Sequence, residues 1–389
     1  MNMIRTLISI VGDQPAPNIF LIRDQYFRTI DRHLFITTDL MIKRLRLNHL
    51  IEATGISPDK YSSVVVPADN LLGLRKKLDQ LNLQNDQSLY LVNLSCGSKM
   101  MSVGIYNYFT QPGLRDQSQI FYLPIYENHF LQIFPEPQQR FPLSHRIGVM
   151  EYLKSYGISV RSASFGQTLM PLGFHQRIVD LYLSSKRPPT ILQKKFWTST
   201  NNLRIANNSN KKDYLIVEQI PQLGELLSEL NFKPETKGIL QTEEIHFWMG
   251  GWLEEYLYHL VKETLGLSSL DIGRNIVIDW LGPENEYGNN EFDLIFIYRN
   301  TLYIIECKAG LGKKEQVKTH FNIAVHRLAA LRKELGLRVR TLFLTLSTRL
   351  RNESGDILEP YFSRVMLLDI PFFDRNDIPD NLVRFLKEL

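Results

Sequence analysis

The sequence predicts an α/β protein in two parts, an N-terminal Rossmann-like parallel sheet and a C-terminal α/β domain built around a β-hairpin. Three observations carry this. Short apolar runs alternate with helical patterns over the first third of the chain, a hairpin bearing charged residues occupies residues 290–308, and 389 residues is long for a single core. The first five strands are read at Leu7 to Val11, Leu34 to Thr37, Val64 to Val66, Leu89 to Asn93 and Ile120 to Pro124. Small or polar residues follow the first, second and fourth of these: Gly12-Asp13-Gln14, Thr37-Thr38-Asp39 and Ser95-Cys96-Gly97-Ser98-Lys99. Ligands of open α/β sheets bind at such carboxyl ends.

The segment Pro135-Glu136-Pro137-Gln138-Gln139 ends the first domain, and Val149 to Tyr156 reads as a helix closed by Gly157. The expected division is 1–145 for the first domain, 146–190 for a connecting helix and linker, and 191–389 for the second domain. A break is expected at Ser184-Ser185-Lys186-Arg187-Pro188-Pro189 and a polar, Asn-rich loop from Asn201 to Lys212. The last part holds a helix from Gly251 to Leu265, the hairpin, a basic helix from Lys314 to Leu335 and a strand from Thr341 to Leu346. A net charge of +4 is too mild to mark a nucleic-acid binder by itself. The two cysteines, Cys96 and Cys307, form neither a disulfide framework nor a metal-ligand spacing, and no apolar run is long enough for a membrane span. A soluble, cytoplasmic protein is expected.

The hairpin is the most informative stretch. Arg299-Asn300 reads as a two-residue turn, so Tyr298 faces Thr301 and, counting outward, Asp293 faces Glu306. Opposed residues have Cβ atoms roughly 5 Å apart. Two carboxylates so close need a positive partner, and a divalent metal supplies one. Glu306 and Lys308 share a strand face, and Cys307 packs on the other. On the preceding helix Glu254 borders the apolar stripe of Leu253, Leu257, Leu260 and Val261, whereas Glu255 is expected to point away from it. Lys313, Lys314 and Lys318, with Lys194, Lys195, Lys211 and Lys212, offer charge to a phosphate backbone, and Trp197 and Trp248 offer stacking faces. His320 and His326 are expected to be surface or core histidines.

An acid, a variable spacer and Glu-Cys-Lys resemble the signature of the PD-(D/E)xK nuclease superfamily. The resemblance implies metal-dependent phosphodiester hydrolysis, with Asp293, Glu306 and the Cys307 carbonyl holding Mg²⁺ or Mn²⁺, Glu254 completing the shell, and Lys308 orienting the nucleophile. It implies a restriction-endonuclease-like α/β fold for the second domain.

In the first domain, Val11 to Asn18 and Asn93 to Met100 resemble the ligand motifs of CARF domains, the CRISPR-associated Rossmann folds. The usual Thr-Gly-Gly-Thr-Lys motif has Ser95, Cys96 and Ser98 in place of its first Thr, first Gly and second Thr. Gly251-Trp252-Leu253-Glu254-Glu255-Tyr256 is similar to the CARF-nuclease ancillary effectors of type III CRISPR systems. The resemblance implies a homodimer whose paired CARF domains bind a cyclic oligoadenylate through Gly12, Asp13, Gln14, Thr37, Thr38, Asn93, Ser95, Cys96, Gly97, Ser98 and Lys99. Cyclic tetra-adenylate is the expected activator, ahead of the hexa-adenylate, and single-stranded RNA and DNA are the expected substrates. The alternatives are a ligand-independent repair- or recombination-type nuclease, a catalytically silent regulator, and a pocket that degrades its own ring.

Overall fold

The computed structural model describes residues 3–183, 191–209, 213–280 and 290–389. The Ser184 to Pro189 break, Lys211 and Lys212 lie outside these residues.

The first sheet contains β1 (Ile4–Ile10), β2 (Arg32–Thr37), β3 (Tyr61–Val65), β4 (Ser88–Asn93), β5 (Ser118–Tyr122), β6 (His129–Phe134) and β7 (Gln139–Pro142), in the order β3-β2-β1-β4-β5-β6-β7. The first five are parallel, and β6 and β7 extend the edge antiparallel. Helices α1 (Ala16–Arg23), α2 (Asp39–Lys43), α3 (Arg46–Thr54), α4 (Leu71–Asp79) and α5 (Lys99–Thr110) connect the parallel strands. Strand order reverses between β1 and β4, so the loops after these two strands flank the topological switch point.

After α6 (Val149–Ser155), Gly157 turns the chain at φ 75° into β8 (Ile158–Ser164). The stretch 146–190, expected as a connecting helix and linker, therefore does more than connect, because β8 pairs antiparallel with β11 (Ile272–Trp280) at the edge of the second sheet. Its β-branched residues Ile158 and Val160 lie against the core. Helices α7 (Leu172–Leu183) and α8 (Ile191–Ser209) follow, so residues 201–209 are helical where a polar loop was expected. Leu203, fully buried, and the half-buried Ala206 anchor that turn of helix in the core, and tertiary packing overrides the local Asn propensity. A small ribbon of β9 (Tyr214–Ile216) and β10 (Ile239–Gln241) brackets α9 (Leu223–Glu229), and α10 (Thr242–His246) leads through a π-turn into α11 (Trp252–Leu265).

The second sheet has the order β15-β14-β13-β12-β11-β8, adding β12 (Asn290–Tyr298), β13 (Thr301–Lys308), β14 (Val339–Thr345) and β15 (Phe372–Phe373). Helix α12 (Val317–Leu335) crosses from β13 to the parallel β14, and α13 (Glu359–Leu367) and α14 (Asp380–Lys387) complete the chain.

One apolar cluster runs through both parts. It begins under the first sheet at Leu7, Phe20 and Phe35, passes through Ile147 and Tyr152 around α6, and ends at Ile295, Ile304 and Val325 between the second sheet and α12. The opposite face of the second sheet packs on α7, α11 and α14 through Trp248, Trp252, Tyr256, Leu294, Ile305, Cys307 and Leu382. The two sheets are thus welded by a continuous core.

Polar contacts reinforce this weld at the hairpin turn. Arg299 and Asn300 both have positive φ, 48° and 59°, as a type I′ turn requires. Asn300 is buried at 3% exposure. Its Oδ1 accepts from Ile147 N at 3.0 Å, and its Nδ2 donates to Asn128 Oδ1 and His145 O, both at 3.0 Å. Replacing Asn300 with Ala removes these bonds and penalises the turn, so unfolding free energy should fall by roughly 3 kcal/mol. Asn300→Gly keeps the turn and should lose about 1 kcal/mol less. Urea denaturation of the two variants checks both values, and equal stability of Asn300→Ala and the parent would refute the assignment.

Candidate functional site

The expected hairpin register is present. Tyr298 pairs with Thr301 and the ladder runs to Leu294 against Ile305. One step further the strands part, and the Asp293 carboxylate accepts the Cys307 N–H through Oδ2 at 2.8 Å. Asp293 and Glu306 are 8% and 4% exposed. Lys308 Nζ sits between them, 3.2 Å from Asp293 Oδ2 and 2.9 Å from Glu306 Oε1. Burial works against the charge of Lys308, but the two acids outweigh it and hold the ammonium above its ordinary value. Burial and then Asp293 push the Glu306 carboxyl up, against the pull of Lys308 and Arg327. Cys307 faces the other side of β13, in the apolar cluster around α11, and burial raises its thiol well above the usual range.

Helix α11 brings Glu254 to the same place. Burial, then the charge of Asp293, pushes the Glu254 carboxyl up to about 8. Its neighbour Glu255 corrects the sequence expectation. Lying off the apolar stripe does not leave it in solvent: Glu255 is 1% exposed, because α11 is covered on this side by the segment leading into α7. Glu255 Oε1 lies 2.8 Å from Arg274 NH2, Oε2 lies 3.2 Å from His175 Nε2, and Leu169 N and Met170 N donate to the same carboxylate. Glu255 anchors the helix, and Glu254 is the acid that reaches the hairpin.

Two residues that the sequence reading passed over join the group. Asn275 falls between Arg274 and Ile276, which pair with Leu294 and Phe292, so it lies abreast of Asp293 in β11. It has φ 50°, and the β11–β8 register shifts beside it, marking a bulge. In the orientation that satisfies its amide, its nitrogen donates to Glu254 Oε2 and its oxygen accepts from Arg274 NH1 at 3.2 Å. Arg327, on α12, donates from NH1 to Glu306 Oε2 at 2.9 Å and Oε1 at 3.2 Å, and from NH2 to Glu291 O. An arginine bordering the buried stripe of the helix after Glu-Cys-Lys was the available signal for it. An asparagine inside a strand pattern was the signal for Asn275.

Among the described residues no group of three or more His, Cys, Asp or Glu is disposed to hold a metal ion. The donor set of the hairpin nevertheless suits one in kind. It is all oxygen, and burial together with the charge of Asp293, which lifts both Glu254 and Glu306, is an imbalance a hard divalent cation relieves.

The loops after β1 and β4 form a second constellation. Gly97 has φ 83°, and a Cβ there would lie 2.3 Å from Ile10 Cγ2; a Cβ on Gly12 would lie 2.8 Å from Gly97 N. Both glycines are needed for the two loops to touch backbone to backbone. Ser98 caps α5 by accepting from Met101 N at 3.2 Å, leaving Gly97 and Lys99 exposed at the helix start. Cys96, which replaces the motif's first Gly, sits there without backbone strain, since the left-handed residue is Gly97. Its buried Sγ donates to Gln14 O at 3.1 Å, and burial pushes the thiol up to about 12. Asn93 and Ser95 build the loop, with Asn93 Nδ2 on Asn18 Oδ1 and Ser95 Oγ accepting from Leu123 N, both at 2.8 Å. Thr38 caps α2, and the hydroxyl of Thr37 is buried without a partner. Asp13 is exposed but held by Arg44 at 2.9 Å and Arg46 at 3.3 Å, two cations that the sequence reading had not placed here.

Family models match both constellations. Residues 6–152 match the Card1 CARF domain and residues 241–369 match the Card1-like endonuclease domain. The chain is a Card1-type CARF domain followed by a Card1-like endonuclease domain. No curated protein matches its sequence. The fold is similar to protein VC1899 from Vibrio cholerae, at 18% identity and TM-score 0.73, with 99% of each chain covered. It is also similar to Can2 from Sulfobacillus thermosulfidooxidans in complex with cyclic tetra-adenylate, at 18% identity and TM-score 0.68, covering 98% of this chain and 99% of that one. A type III CRISPR defence DNA nuclease activated by cyclic oligoadenylate matches at 14% identity and TM-score 0.50, covering 94% of this chain and 52% of that one.

Between the CARF loops and the endonuclease sheet stands Gln14. Its Oε1, expected to read a ligand, accepts instead from Leu337 N at 2.7 Å and from Tyr156 OH at 3.3 Å. The side chain thus ties the loop after β1 to the turn that starts β14. Gly336 completes the joint, since its φ is 96° and a Cβ there would lie 2.4 Å from Gln14 Oε1.

The remaining candidates divide plainly. Trp248 is 1% exposed and belongs to the core, so it presents no face to a base, whereas Trp197 is 42% exposed. Lys195 is taken up by Glu225 and Glu229, while Lys194, Lys313, Lys314 and Lys318 are exposed. His320 meets Leu311 O through Nδ1 at 3.0 Å, and His326 accepts from Arg364 at 3.3 Å. Among the described residues no helix is long and apolar enough to cross a membrane.

In the metal-free protein Glu254 should titrate near pH 8, and Asp293→Asn should lower that midpoint by removing a neighbouring negative charge. Carbon-13 NMR of labelled glutamate measures both. A midpoint in the ordinary glutamate range would show a solvated side chain and refute its placement beside Asp293.

Proposed function

We propose that this protein is a nuclease switched on by a cyclic oligoadenylate, with cyclic tetra-adenylate as the activator, and that it degrades single-stranded RNA and DNA in type III CRISPR antiviral defence. The observation that carries the reading is the Gln14 joint, which connects a glycine cradle at a switch point to a sheet bearing Asp293, Glu306 and Lys308. The pairing of a CARF domain with an endonuclease domain, and the ligand named for Can2, support it.

The ring would lie over Gly97, which backs onto the buried Gly12, where the exposed main chain of Gly97, the start of α5 and Lys99 favour phosphate. A cyclic ligand of repeated units is matched by a two-fold axis, so the working form is a homodimer. Exposed apolar residues on two mutually packed helices beside the cradle, Leu71 and Leu72 on α4 with Met100 and Val103 on α5, supply surface for that contact.

Asp293, Glu306, the Cys307 carbonyl and Glu254 would hold Mg²⁺ or Mn²⁺. Bound there, the cation supplies Lewis acidity and an activated water. Lys308, kept protonated by both acids, offers its N–H groups to a phosphate oxygen and stabilises charge as it develops. Asn275 holds Glu254 in place.

Labelled single-stranded RNA, single-stranded DNA and plasmid, each incubated with and without the ring, test the proposal. Ring-stimulated cleavage abolished by EDTA is expected, and Glu306→Gln or Lys308→Met should reduce cleavage by at least about 100-fold while ring affinity is kept. Equal cleavage with and without ring would instead identify a ligand-independent repair-type nuclease, and ring binding with no cleavage a regulatory module.

Gln14→Ala separates binding from switching. It should bind the ring within about threefold of the parent, since its amide faces Leu337, and lose most of the stimulation. Calorimetry beside a cleavage assay reads both, and full stimulation in Gln14→Ala would exclude this route.

A further inference from the structure

Glu306 is saturated by cations that belong to the protein. Lys308 Nζ takes Oε1 at 2.9 Å, and Arg327 NH1 takes Oε2 at 2.9 Å. Apart from Glu306, the Arg327 guanidinium is anchored only at Glu291 O among the described residues. Its side chain is 30% exposed while that of Glu306 is 5% exposed, so the guanidinium closes the acid off from the open side of the site. It also stands on α12, whose first turn presents Lys318 to solvent just after the exposed Lys313 and Lys314.

A divalent cation on Glu306 and a guanidinium hydrogen-bonded to the same carboxylate would repel each other, because both positive charges would lie within a few ångströms in a poorly solvated place. One of them must yield. Arg327 is the mobile partner, with a long flexible stem and a head already at the surface, whereas Lys308 is held by two acids. A guanidinium released there stands on the exposed side of the site, and its planar fork matches phosphate oxygens two at a time.

We infer that Arg327 is a substrate-binding residue with two stations. It stands in for the metal on Glu306 in the cation-free protein, and it transfers to a backbone phosphate of the nucleic acid when the cation takes that carboxylate. The first station keeps a buried acid paired before loading. The second adds substrate affinity only to molecules already carrying metal. This rests on the nuclease reading above.

The two stations make opposite demands, and that gives the test. Removing Arg327 removes a competitor for Glu306, so Arg327→Gln should bind Mn²⁺ about three- to tenfold more tightly than the parent, measured by electron paramagnetic resonance titration of the full chain without nucleic acid. The same variant should show a KM for a labelled single-stranded oligonucleotide raised about tenfold in the ring-activated enzyme, reflecting one lost phosphate contact. Arg327→Lys, which keeps a charge but not the fork, should fall between the two in both measurements and covers the case in which Arg327→Gln does not fold. Unchanged or weaker Mn²⁺ binding in Arg327→Gln, or in Arg327→Lys if that alone folds, overturns the inference. If the parent itself neither binds Mn²⁺ nor cleaves, the nuclease reading falls with it; if the parent does both and the variants bind Mn²⁺ as it does, only the role of Arg327 falls.

Discussion

The organising constraint of this molecule is that two carboxylates, Asp293 and Glu306, are buried side by side at the point where a β-hairpin opens. Unpaired charge in such a place is costly, and each surrounding element answers that cost in part. The strands part so that Asp293 can take the Cys307 N–H. Strand alternation sends Lys308 back toward both acids, and α12 brings Arg327 from above. The third acid, Glu254, is set in place by a helix that is itself pinned through Glu255, Arg274 and His175. A bulge at Asn275 turns an amide toward Glu254 where a regular strand would not. The site is therefore over-determined by its surroundings while its charges remain imperfectly balanced, which is the condition expected of groups kept for chemistry.

Much of this was legible in the residues because it follows from small periods. A two-residue turn with the correct chemistry fixes register, and alternation fixes which side chains share a face, so Asp293, Glu306 and Lys308 could be brought together by counting. The parallel strands and the loops at their carboxyl ends were legible for the same reason. What failed depended on packing from distant segments. Glu255 looked solvated because a helical wheel knows nothing of the segment around Leu169 that covers it. Residues 201–209 looked like a loop because their Asn content outweighs Leu203 and Ala206 until a core is there to receive them. Strand β8 was hidden inside an apparent linker, since its partner β11 lies more than a hundred residues away in sequence. Gln14 was assigned to the ligand because its loop was, yet its amide faces the other domain.

The mechanical consequence lies in how the two halves are joined. They share an apolar core through α6 and polar contacts at Asn300, so independent motion of the two sheets would expose packed surface. A ligand on the CARF loops therefore cannot act by loosening a flexible tether. It has to act through a contact with two arrangements, and Gln14 against Leu337 is placed to be one. Leu337 lies in the turn just before β14, which runs hydrogen-bonded beside β13 from Leu302 to Lys308. In the proposed switch, a shift of that turn would bear directly on the strand paired with the one carrying Glu306 and Lys308.

For such a contact to work as a switch, the ring must bind one arrangement more tightly than the other, because a ligand indifferent to the two shifts nothing. The cradle offers a physical source for that difference. Gly12 and Gly97 meet backbone to backbone with no room for a Cβ, and Cys96 holds the main chain of Gln14 to the same loop. Phosphate seated on the exposed main chain of Gly97 would bear on a loop that Cys96 bonds to Gln14, so the favoured ligand geometry and the position of the Gln14 amide are linked. Affinity for the ring and the setting of β14 are then one quantity read at two ends, and the acids of the hairpin stand at the far end.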